Sequence, residues 1–208
     1  LNSRFEASQD KPVTLFVSDF DRNGSLEHIL QVFNGDEAYP MVLRHDLLAQ
    51  IPSLKKKILK YEDYKGKRVP DLFDPEVLAG AIKLEAYEFR SGVLLNKGDA
   101  DFEFRSLPIQ AQVSPAYAIA VADFDADGIP DILLGGNLFG VKPEVGRYDG
   151  SYGTLLKGNG DGGFSFIEAR QSGVSISGQV RDFKVLQVDG RDVLMVIRNN
   201  DSALLYSF

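Results

Sequence analysis

The sequence predicts a mainly β fold assembled from four-stranded antiparallel units, and three observations predict it. TLFVSDFDRNGSLEHILQVF at 14–33 aligns without gaps on AIAVADFDADGIPDILLGGN at 118–137, so the chain contains an internal repeat. The segments that follow match as well. GVLLNKGDADFEFRSLP at 92–108 and GTLLKGNGDGGFSFIEA at 153–169 each show an apolar strand, a Gly/Asn/Asp turn and a strand of alternating aromatics. Twenty glycines among 208 residues suit a turn-rich β protein. Each unit therefore reads as strand, acidic loop, strand, connection, strand, tight turn, strand, which is the content of one propeller blade. The expectation is a partial β-propeller of two to three four-stranded antiparallel blades with an α-helical insertion.

Taken in order, residues 1–35 supply the first half of blade 1, with its acidic loop. Residues 36–91 form the helical insertion. PMVLRHDLLAQ and PSLKKKILKY are short helix candidates, the second opened by Ser53 after Pro52. DPEVLAGAIKLEAYEF is the strongest, with Asp74 as N-cap, Pro75 at the first helical position and Glu76 in the first turn. Leu78, Ile82, Ala86 and Phe89 recur at helical spacing along one face, as expected of core packing against a sheet. Residues 92–112 return as the second half of blade 1, and residues 113–172 form blade 2 with its own acidic loop. Residues 173–208 read as a degenerate or partial blade 3: VRDFKVLQVDGRDVLMVIRN holds two strands around an Asp189-Gly190 turn, and ALLYSF adds one more.

Composition narrows the function classes. A net charge of −7 argues against an extended nucleic-acid surface or an anionic membrane partner. The basic run Lys55-Lys56-Lys57 with Lys60 reads as the solvated face of a helix. The chain has no cysteine, which rules out disulfides and thiolate metal sites. No signal peptide and no apolar run of transmembrane length is expected within these 208 residues. Strand-like sequence begins within a dozen residues of Leu1, as expected of a piece of something longer.

The two acidic loops carry the chemistry. A hard divalent cation needs oxygen side chains at loop positions 1, 3 and 5, a Gly at 6 to turn the chain sharply, a backbone carbonyl at 7 and an acid at 9. The second loop offers Asp123, Asp125, Asp127 and Asp131, with the Ile129 carbonyl at position 7. The first offers Asp19, Asp21, Asn23 and Glu27, with the carbonyl of Ser25. Calcium is preferred over magnesium because it accepts six to eight oxygens in flexible geometry. Zinc would call for His or Cys, which neither loop contains. An EF-hand would need Glu at position 12 and flanking helices, but that position is Leu30 or Leu134 within strand-like sequence. Two calcium ions, each stapling a pair of strands, are expected.

An acidic nonapeptide followed by an apolar strand, duplicated in register, resembles the FG-GAP/VCBS repeats of integrin-α-like β-propellers. LLAQIPSLKKKILKYEDYKG, VSPAYAIAVADFDADGIPDILLGGNLFGVKPEVGRYDGSYGTLL and the ending VIRNND are similar to the C-terminal region of bacterial VCBS-repeat proteins of the ASPIC/UnbV type. The resemblance implies a calcium-stapled propeller segment, exported by a signal outside this chain to the cell surface, the envelope or the exterior. It implies a binding role rather than a catalytic one. Two and a half blades do not close a ring of four to eight, so further blades or another chain would complete it.

No catalytic constellation stands out. His28 and His45 lie outside any recognisable arrangement, and Ser-His-Asp patterns, phosphate-binding glycine loops and HExxH are absent. The segment GNLFGVKPEVGRYDGSYG at 136–153 places Lys142, Glu144, Arg147, Tyr148 and Asp149 between glycines. It reads either as a loop tied down by its own ion pairs and an Arg–Tyr stack, or as a recognition loop for a protein or glycan. The expected function is a non-enzymatic interaction module of a secreted or cell-surface assembly. The alternative is an accessory propeller region of a secreted polysaccharide-acting enzyme.

Overall fold

A computed structural model describes residues 5–143 and 146–208. The chain is mainly β, 40% strand and 16% helix, arranged as several antiparallel sheets. It divides into two compact units, meeting in sequence between Phe89 and Arg90. Among the described residues no helix is long and apolar enough to cross a membrane.

In the N-terminal unit, β1 (Val13–Ser18) and β2 (Glu27–Asn34) flank the first acidic loop. Beyond a turn at Gly35-Asp36 follows β3 (Glu37–Pro40). Then come α1 (Arg44–Gln50), a 3-10 turn (Pro52–Lys56), α2 (Tyr61–Tyr64), α3 (Val69–Leu72), α4 (Pro75–Ala79) and β4 (Ile82–Ala86). The sheet order is β3-β2-β1-β4. Phe16 and Ile29 face each other across β1 and β2. Onto them the helical segment packs Leu47, Leu48, Ile51, Leu54, Ile58, Val69, Leu72 and Phe73. Several one-turn helices too short to stand alone are thereby held by a shared apolar core.

The expected extent of the helical segments is corrected here. The helix expected over 74–89 stops after α4, where Gly80 closes it with its N–H on the Glu76 carbonyl. Asp74 is the N-cap residue of α4 and Pro75 its first residue, as expected, although the Asp74 side chain makes no capping hydrogen bond. Residues 82–86 instead pair with β1, Val17 opposite Ile82 and Val13 opposite Ala86. The free edge of β1 supplies backbone partners that must otherwise be found in water. As a result Ile82 is 58% exposed rather than part of a core stripe. The insertion is thus helical only between Arg44 and Ala79, and PSLKKKILKY forms no single helix: Pro52–Lys56 make a 3-10 turn and Tyr61 opens α2.

In the C-terminal unit, β5 (Gly92–Gly98) and β6 (Asp101–Ser106) form a separate two-stranded sheet. They were expected to complete the sheet of β1 and β2, but β3 already occupies the edge of β2 that they would need. A 3-10 turn (Ile109–Gln112) leads to β7 (Ala116–Ala122), the second acidic loop and β8 (Asp131–Gly136). Next are β9 (Thr154–Gly158), β10 (Phe164–Ile167) and α5 (Ala169–Ser172). The unit ends with β11 (Val180–Val188), β12 (Arg191–Arg198) and β13 (Leu204–Ser207). β7 to β10 form one four-stranded meander, the sheet expected over 113–172, and β11 to β13 a three-stranded one.

β8 is buried along its whole length because both faces of its sheet are covered. Leu133 packs with Ile176, Val180, Phe183 and Leu194 on one face, while Ile132, Leu134 and Leu156 pack with Leu107 and Val93 on the other. A strand buried twice reads as a continuous apolar run, as DILLGG does.

Candidate metal centres and the connecting loop

The two acidic loops, one in each unit, close on the same backbone bonds. The position-1 carboxylate accepts from the N–H groups of positions 5 and 6. Asp19 takes Asn23 and Gly24, each at 2.8 Å, and Asp123 takes Asp127 at 3.1 Å and Gly128 at 2.8 Å. The position-5 side chain accepts from position 7 at 2.8 Å in both, Asn23 from Ser25 and Asp127 from Ile129. The position-9 carboxylate reaches back to the N–H of position 2, Glu27 to Phe20 at 2.9 Å and Asp131 to Phe124 at 3.0 Å.

Backbone dihedrals repeat too. Position 6 is left-handed at Gly24 (φ 89°) and Gly128 (φ 85°), and so is position 4 at Arg22 (φ 59°) and Ala126 (φ 61°). A non-glycine residue in that region costs about 1 kcal/mol, so the same strain at the same place in both copies marks one imposed conformation.

This scaffold gathers two acidic groups that could hold a metal ion. Asp19, Asp21 and Glu27 form one, and Asp123, Asp125 and Asp131 the other, with one carboxylate oxygen from each residue within 4.8 Å of the others. Glu27 and Asp131 are buried, and Asp131 also accepts from the N–H of Gly158 at 2.9 Å. Asp21 Oδ1 is buried and has no hydrogen-bond partner. A buried carboxylate oxygen without a donor is costly, and a coordinated cation would remove that cost. Asn23 at position 5 has its carbonyl oxygen turned to Ser25. Asp127 at the equivalent position is held by Lys157 Nζ at 2.6 Å, and Lys157 also pairs with Asp125. The ammonium holds the Asp127 carboxyl below the ordinary range, helped by the Ile129 N–H.

The aromatic residue at position 2 anchors each loop. Phe20 is buried against Phe73 with ring centroids 4.3 Å apart, and Phe124 lies 4.7 Å from Phe208. Asp125, Asp131 and Lys157 also line one side of a cavity of about 500 Å3 whose walls include Leu133, Leu155, Ile176 and Leu194.

The segment after β8 is tied down by different residues from those expected. Leu138 and Tyr148 bridge the loop, exchanging N–H···O bonds of 2.8 and 3.0 Å. Arg147 stacks on Phe139, 3.8 Å from the ring centroid, rather than on Tyr148. Lys142 and Asp149 are exposed and make no ion pair or side-chain hydrogen bond among the described residues; Glu144 lies outside them.

The base of the loop rests on Asn137, buried and left-handed at φ 79°. Its amide donates to the carbonyls of Ser151 at 2.7 Å and Gly178 at 2.9 Å. Its oxygen accepts from Ser114 Oγ at 2.8 Å and Ser151 N–H at 3.0 Å. The Phe139 N–H is held by Gln179, which also accepts from Arg181.

Asn137, Phe20, Phe124 and Lys157 were not among the site residues expected from sequence. The aspartate-flanked Phe in both loops was the visible signal for two of them, whereas Asn137 and Lys157 carry no local signature. Comparison with known proteins finds no matching family model, no matching curated protein and no matching solved structure.

Proposed function

We propose that the chain is a calcium-stabilised segment of a β-propeller of the FG-GAP/VCBS type, acting as a non-enzymatic interaction module in a secreted or cell-surface assembly. The observation that carries this reading is the hydrogen-bond scheme shared by the two acidic loops, which holds side-chain oxygens ready at equivalent positions. All the donors are oxygen, from carboxylates and one amide, with the Ser25 and Ile129 carbonyls in reserve. A large, hard cation with flexible geometry fits that set, and calcium fits it better than magnesium. Each loop joins two paired strands, so the ion's role is to hold the sheet rather than to activate water.

Recognition is assigned to the loop over 138–152. Its base is rigid through Asn137, while Lys142, Arg147 and Asp149 are exposed on its surface. Charged groups beside an anchored loop base suit a protein partner or an acidic glycan. The test is a screen of the full chain, in calcium, against protein and glycan arrays. A genuine partner should bind at least about tenfold more weakly to Arg147→Ala combined with Lys142→Ala, at an unchanged melting temperature. Retained binding in that variant, or turnover of a polysaccharide, would refute the assignment.

A further inference from the structure

The two loops differ in one respect that their sequences conceal. Position 5 is Asn23 in the first and Asp127 in the second, so the second has one more carboxylate. By ligand charge alone it should bind a divalent cation more tightly. Yet Lys157, projecting from β9, places its ammonium on both Asp125 and Asp127. Four carboxylates less one ammonium leave a formal charge of −3, the charge of Asp19, Asp21 and Glu27 together. Among the described residues no Lys or Arg pairs with those three, and Asp21 Oδ1 stays without a partner.

We infer that Lys157 is a built-in counter-cation that competes with the divalent ion for the second loop and sets its affinity. This rests on the reading of the loops as calcium sites and specifies how one of them is regulated. Lys157 holds one oxygen of Asp125, while the other accepts only a long bond of 3.3 Å from the Asp127 N–H, so an ion coordinated by Asp125 shares that carboxylate with the ammonium or displaces it. A bound ion and an ammonium held at the same carboxylates also repel each other, and in a partly exposed site that repulsion persists at low salt. Binding is therefore a competition between two cations. In the absence of calcium, Lys157 relieves repulsion between Asp125 and Asp127. The first loop has no such substitute and binds without displacing anything.

The experiment is calorimetric titration with calcium chloride at low ionic strength, using the full chain with Asp21→Ala to silence the first loop. Adding Lys157→Met, which keeps the aliphatic stem, should lower the remaining Kd about tenfold, and added salt should narrow the gap. Lys157→Arg should leave Kd near its starting value, and melting curves check that all variants fold. Equal affinity in the Met variant, or weaker binding, would overturn the inference while leaving the calcium sites standing. If wild-type protein takes up no calcium at either loop, the reading of the loops fails as well.

Discussion

Calcium at about a hundred times its Kd should raise the melting temperature by roughly 10–20 °C in the N-terminal unit and somewhat less in the larger C-terminal one, and a chelator should reverse the shift. An ion that binds only the folded state at that concentration contributes about 2.7 kcal/mol. For domains of this size, each kcal/mol moves the midpoint by about 4–8 °C. Because each unit has its own acidic loop, the effect should divide between two calorimetric transitions. Asp21→Ala should remove the shift of the N-terminal unit alone, and Asp125→Ala that of the C-terminal unit alone.

The N-terminal variant makes the sharper test because its sign should invert. Without calcium, Asp21 Oδ1 is buried and unpartnered, so its removal should leave stability unchanged or raise it by about 1 kcal/mol. With calcium, the same substitution removes a ligand, and the variant becomes the less stable of the two. Melts by circular dichroism, with calcium and with chelator, decide this. A variant less stable than wild type by the same margin in both conditions would show that Asp21 is an ordinary structural residue.

Asn137→Ala should destabilise the C-terminal unit by about 3–5 kcal/mol. The substitution leaves the Ser151 N–H and the carbonyls of Ser151 and Gly178 without their partner in a buried region. Each buried group so orphaned costs about 1–3 kcal/mol, although Ser114 can turn its hydroxyl elsewhere. Alanine also tolerates φ 79° poorly, whereas Asn does so at little cost. Asn137→Gly should therefore be the milder substitution by about 1 kcal/mol, separating backbone strain from lost hydrogen bonds. Chemical denaturation measures both, and hydrogen exchange should show the amides of Leu138 and Tyr148 losing protection. A loss below about 1 kcal/mol in the Ala variant would mean that water replaces the Asn137 amide.

Local patterns carried most of the secondary structure and the acidic loops. The strands around each loop, the two Gly/Asn/Asp hairpins and the Asp189-Gly190 turn all depend on near neighbours, as do the Asx-type bonds inside each nonapeptide. A carboxylate four or five residues from the N–H it accepts needs no distant partner, so its spacing is readable from the chain. The same locality explains why the two loops close identically in units that otherwise differ.

Competition decided the rest. Residues 82–86 carry apolar spacing compatible with helix, but the open edge of β1 offered backbone partners and won them as a strand. The β5–β6 hairpin has the form of a completing half-sheet, yet β3, joined to β2 by a turn of two residues, occupies the edge it would need. Asn137 and Lys157 became site residues only because folding brought Ser151, Gly178, Asp125 and Asp127 to them. By itself the sequence determined the strands that flank each acidic loop, the tight turns and the oxygens gathered in each nonapeptide. Only the tertiary structure decided which edges pair and what faces those oxygens, because the partners are far apart along the chain and each edge or charge accepts just one neighbour at a time.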